Sequence, residues 1–86
     1  MTRTDILDAA RQAVMVDRAA THGDLDESFG LVAEYWSAHL DTPVSRSDVV
    51  VMLIQLKLAR IKTSPEHADH WVDVAGYAAC GGEVAT

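Results

Sequence analysis

Apolar residues recur along this chain at intervals of three and four, and four stretches carry that pattern. In the first, Ile6, Ala10, Ala13 and Val14 form one stripe. Thr4 suits the N-cap of that helix, and Asp5 and Asp8 in its opening turn suit the positive end of the helix dipole. The stripe fades near Arg18, and Gly23 marks a break. In the second stretch Phe29, Val32, Ala33, Trp36 and Leu40 fall on one face, with Glu27 and Glu34 projecting the opposite way. Asp24 or Asp26 can cap it, and Asp41-Thr42-Pro43 ends it.

The third stretch opens on Ser45 and Asp48, spaced as a capping box. It continues as VVVMLIQLKLARI, apolar nearly all round, which is the pattern of a helix at the centre of a fold. Its β-branched opening resembles a strand. The length and the cap favour a helix, because no turn signal interrupts the run. Ser64 followed by Pro65 reads as N-cap and first turn of a fourth helix, with Gly81-Gly82 as its stop. The spacing therefore predicts an all-α fold in one domain over residues 1–86. The expected form is a compact bundle of four helices at about 4–18, 26–40, 46–62 and 65–81, with short connections favouring antiparallel neighbours.

Composition sharpens this picture. With 86 residues, 49% of them apolar, the chain is too small to hide all that surface in its own core. A homo-oligomer is expected to complete the burial. The net charge of −6 argues against general nucleic-acid binding, which needs a basic patch, but leaves room for a small anion held by a few local cations. The longest apolar run, Val49 to Ile54, falls far short of a membrane span. Acids within MTRTDILDAARQ do not fit a signal peptide, and the single cysteine, Cys80, suits a reducing compartment. A cytoplasmic protein, with no membrane partner, is expected.

Candidate chemistry falls in two places. Lys57 and Arg60, three residues apart, lie among apolar neighbours on the third helix, where a lysine must snorkel, pair with an acid or meet a ligand. On the fourth helix Asp69, Asp73, Gly76, Cys80 and Glu83 share a stripe, while Trp71, Ala75, Ala78 and Ala79 occupy the opposite face. That alanine-rich face is the one expected to pack on another helix. Two carboxylates at i and i+4 can share Mg²⁺, which accepts a few carboxylates and fills the rest of its shell with water. They can equally pair with Lys57 and Arg60 as a structural ion pair. Gly76 costs about 1 kcal/mol against alanine inside a helix, so it marks the close approach of a ligand or of another helix. The second place is the segment Arg18-Ala19-Ala20-Thr21-His22-Gly23-Asp24. There Arg18 can clamp a phosphate and His22 can meet a base, or Arg18 simply favours a helix C-terminus.

That same segment, together with Phe29 and Trp36, Asp48-Val49-Val50, Leu56-Lys57-Leu58-Ala59-Arg60 and Asp69-His70-Trp71-Val72-Asp73-Val74-Ala75-Gly76-Tyr77-Ala78, resembles a small family found in bacteriophages and prophages. Its members usually stand as a domain of unknown function, and the resemblance runs from Arg18 to Ala79. More distantly the arrangement is similar to MazG-like all-α nucleoside triphosphate pyrophosphohydrolases, helical bundles that dimerise or tetramerise. The resemblance implies Mg²⁺ held by acids, here Asp69 and Asp73, with Arg18, His22, Lys57 and Arg60 on the nucleotide and its phosphates. It implies cleavage between the α and β phosphates by an activated water, inside the host cytoplasm for a phage-encoded protein. The chain departs from that pattern in one respect: its third helix carries no acid after Asp48, so no Glu-x-x-Glu faces Asp69 and Asp73. The alternative from a different class is a non-catalytic helical interaction protein, such as a phage factor that binds a host protein, in which the same four charges form a structural network.

Overall fold

The computed structural model of the chain describes residues 1–17 and 25–86. Its elements are α1 (Arg3–Gln12), which runs on into a π-helical turn over Ala13–Asp17, then α2 (Leu25–Leu40), α3 (Arg46–Thr63) and α4 (Ala68–Ala85). Every regular element among the described residues is helical, as the periodicity predicts.

The helix ends show where local signals compete. α1 is capped by Thr2 rather than Thr4. The Thr2 hydroxyl accepts from the Asp5 N–H at 3.1 Å, and the Asp5 carboxylate accepts from the Thr2 N–H at 3.0 Å. Only Thr2 has an acid three residues on, so only Thr2 closes the box, and Thr4 lies inside the helix. The same contacts hold the Asp5 carboxyl below its ordinary value, the backbone hydrogen bond contributing most. The expected end of this helix at Arg18 lies outside the described residues. So does Asp24, while Asp26 sits within α2 instead of capping it.

The Ser45–Asp48 box at the start of α3 forms as expected, with bonds of 3.0 and 2.9 Å. Between α2 and α3, Asp41 takes a positive φ of 50°, a conformation aspartate tolerates. The Ser37 hydroxyl then reaches ahead to both backbone groups of Val44, at 2.8 and 3.2 Å, and fixes the turn.

α4 begins three residues later than Ser64-Pro65 suggests. Ser64 is the C-cap of α3, its N–H donating to the Arg60 carbonyl at 2.9 Å, and His67 precedes α4 with no side-chain cap. The Pro65 carbonyl is drawn to the Trp71 indole N–H at 2.9 Å, so the segment is held as a turn outside the helix. At the other end α4 passes through Gly81-Gly82 to Ala85. Those glycines are not a stop signal, because Gly81 serves a packing purpose: a Cβ there would stand 2.9 Å from Val50 Cγ1.

Packing runs chiefly from neighbour to neighbour, α1 on α4, α4 on α3 and α3 on α2. The core gathers around Phe29 and Ala33 of α2, Val49 and Val50 of α3 and Cys80 of α4, with Val14, Trp36, Leu53 and Tyr77 against it. α3 is central, yet only Val49 and Val50 of it are fully enclosed. On α4 Val72, Gly76 and Cys80 are buried and Ala75 is half-buried, while Ala78 and Ala79, expected to pack on another helix, are exposed. The stripe that carries the aspartates is the packing stripe. Gly76 explains the choice, since its missing side chain admits Val14 Cγ1 to 3.0 Å of where a Cβ would stand.

The two neighbouring glycines of α4 predict opposite effects. Gly81→Ala must push Val50, which is 1% exposed and cannot yield. It should cost about 1 to 2 kcal/mol despite the gain in helix propensity. Gly82 has nothing within 4 Å, so Gly82→Ala should stabilise by up to about 1 kcal/mol. Thermal denaturation of the two variants checks this, and equal effects would contradict the packing of α3 on α4.

Candidate functional site

Two contacts set how α3 and α4 face each other. Val50 meets Gly81 at one level, and seven residues further along α3, about 10 Å, Lys57 meets Asp73. The helices therefore run antiparallel. The Lys57 Nζ lies 2.7 Å from the Asp73 Oδ2. Of the two acids the sequence offers to Lys57, the structure selects Asp73.

The pair is asymmetric. The Lys57 side chain is only 12% exposed, its stem laid along the apolar seam, whereas Asp73 keeps 40% of its side chain open to water. Asp73 also lines a small cleft of about 60 Å³ with Ala13 and Val14 of the π turn and with Val72, Gly76 and Tyr77. That space takes a water or a cation, not a base.

The other expected residues stand further out. Asp69 is in the first turn of α4 and exposed, one turn from Asp73. Arg60 is exposed in the last turn of α3, its carbonyl occupied by the Ser64 N–H and the Thr63 hydroxyl. Arg18 and His22 lie outside the described residues. Among the described residues no three His, Cys, Asp or Glu side chains cluster as metal donors. With one Asp73 oxygen held by an ammonium group, the set does not make a resident metal cage.

One feature went unread in the sequence. His70 has its Nδ1 buried without a hydrogen-bond partner among the described residues, and its ring lies 5.6 Å from that of His67, tilted by 32°. A pattern of helical spacing cannot report this, because it depends on the turn that precedes α4.

A second concavity lies elsewhere. A groove of about 630 Å³ between α1 and α4, lined by Ile6, Leu7, Trp71, Val74 and Ala75 with Arg3 and Glu66 at its edge, is mainly apolar and does not include the lysine–aspartate pair. No helix among the described residues is long and apolar enough to cross a membrane.

Fold and site together define a small module, helical among the described residues, with an ion pair bridging its two best-packed helices. Within that class the chain belongs to the family described as "Domain of unknown function (DUF6378)", whose model matches residues 5–85. It is similar to the "Gene 55 protein" of Mycobacterium phage D29, with 35% identity over 75 residues, 87% of this chain and 50% of that protein. It is also similar to the "Gene 55 protein" of Mycobacterium phage L5, 38% identical over 74 residues, 85% of this chain and 47% of that protein. The chain spans about half the length of these curated relatives. No solved structure matches it.

The asymmetry of the bridge makes the next prediction. Asp73→Asn leaves a covered lysine without its counter-charge and should cost about 1 kcal/mol, the exposure of the aspartate keeping the figure small. Lys57→Met leaves Asp73 to water and keeps the apolar stem, so it should stay within about 0.5 kcal/mol of the parent. Urea unfolding of both variants compares them, and a larger loss for Lys57→Met would reverse the reading.

Proposed function

We propose that the α3–α4 seam binds a nucleoside triphosphate as its magnesium complex, the MazG-like reading of this fold. The observation that carries it is the bridge from Lys57 to Asp73: a covered cation touching an acid that remains two-fifths open to water, beside a cleft of cation size. In this reading Lys57 and Arg60 hold phosphate oxygens, and Asp69 and Asp73 reach the Mg²⁺ that those phosphates carry. The small cleft cannot admit a base, so the base lies outside it. The π turn supports this arrangement, since Ala13 and Val14 line the cleft and the chain passes from that turn directly into the segment carrying Arg18 and His22. Such turns occur frequently at functional sites. Arg18 and His22 are assigned the remaining nucleotide contacts.

Hydrolysis between the α and β phosphates is the fuller form of this reading. It requires the metal to keep open positions for phosphate and water, which two carboxylates permit and do not enforce. A second reading, a non-catalytic helical interaction protein, is favoured by a different observation: Leu7, Leu31, Tyr35 and Leu58 are all half exposed or more.

Thermal shift with a panel of nucleoside triphosphates and Mg²⁺, followed by a pyrophosphate assay, separates these. A ligand at a hundredfold its Kd adds about 2.7 kcal/mol to stability, which for a domain of this size is a rise of about 10 °C or more. The nucleotide reading expects that rise for the parent, its loss in Arg60→Ala, an exposed position, and pyrophosphate release for the catalytic form. If no nucleotide raises the melting temperature and none yields pyrophosphate, the interaction reading stands instead.

A further inference from the structure

The chain carries more surface than its mass requires. A folded monomer of 9.3 kDa should expose about 5,000 Å², and this one exposes 6047 Å². The excess, about 1,000 Å², compares with the roughly 800 Å² that each partner contributes to a standard protein–protein interface. The radius of gyration says the same, at 13.5 Å against about 12 Å for a compact chain of this length.

Part of the exposed apolar surface lies on α3. Its inner face packs on α2 and α4, and its outer face is open, with Val51 53%, Met52 38% and Leu58 51% exposed. Those residues are not scattered. By the helical count of 100° per residue they flank a single line that runs through Asp48, Gln55 and Lys62, each seven residues from the next and all exposed. The line has an acid at one end, a neutral amide at its centre and a base at the other.

That pattern is complementary to itself when reversed. In an isologous two-fold contact each residue meets its counterpart reciprocally. With the axis at Gln55, Asp48 of one copy stands opposite Lys62 of the other, Met52 opposite Leu58, and Val51 opposite Ala59. A parallel pairing would place like charges together at both ends. We infer that the outer face of α3 is a homodimer interface in which two copies of this helix pack antiparallel about Gln55. The two aspartate–lysine contacts lie at the rim, where charges set the register, and the apolar residues make the centre.

Sedimentation analysis over a concentration series, with cross-linking, tests this on the 86-residue chain. The pairing expects a dimer of twice the chain mass. Leu58→Glu should leave a monomer with unchanged helical circular dichroism, since residue 58 takes no part in the core. Lys62→Glu should raise the dimer dissociation constant about tenfold, because it sets two acids together at both symmetric contacts. Gln55→Cys should link to its own copy through a short bismaleimide, while the parent, whose only cysteine is buried, should not. A monomer at every concentration would overturn the proposal and leave the face to a different occupant. So would a dimer that survives Leu58→Glu, or one that links through a cysteine at Ala79 beside the α1–α4 groove and not at residue 55.

Discussion

The packing of α3 on α4 is the contact on which the rest of this fold depends. It brings Val50 against a glycine that has no side chain to oppose it, and two turns further on it brings a lysine against an aspartate. The first contact is steric and sets the distance between the helices. The second is electrostatic and lets a cationic side chain lie in an apolar seam. α2 attaches to one side of this pair through Phe29 and Ala33, and α1 attaches to α4 directly, with Val14 of the π turn entering the space left by Gly76. The two glycines on the inner side of α4 are thus positions where a neighbouring valine, rather than backbone freedom, explains the residue.

In the proposed reading the same pair concentrates the chemistry. A bridge between rigid helices holds its charges more firmly than a loop would, and the asymmetric burial leaves one partner accessible. Asp73 can accept a further contact without Lys57 having to move. For an anionic ligand with its own cation this is a useful arrangement, because both signs of charge are already present at one point. The exposed Arg60 and Asp69 extend it along the two helices in the direction of the turn that joins them.

Much of this was legible in the residues. Periodicity gave the four helices, the Ser45–Asp48 spacing gave the start of α3, and the isolation of Lys57 among apolar neighbours pointed to an acid on the next helix. Only the alanine-rich face of α4 departs from expectation, for a physical reason. Counting polarity assigns the alanines to the interior, but here Gly76 and Gly81 admit neighbouring valines more closely, and the aspartate on that side is neutralised by Lys57. Likewise Ser64-Pro65 carries a strong helix-start signal that is overruled by two contacts with other elements, the closure of α3 and the Trp71 indole. The family resemblance to phage domains was visible in the same motifs that build the seam. Arg18 and His22 fall outside the described residues, so that part of the candidate site rests on sequence.

The central claim, that the α3–α4 pair is the foundation and the other helices are attached to it, has a direct test in native-state hydrogen exchange. The amides of Val49 to Leu53 and of Val72 to Cys80 should open only with global unfolding, while those of α1 should exchange through a smaller, local opening. Protection in α1 equal to that in α3 and α4, or an α4 that opens before α1 does, would contradict the account.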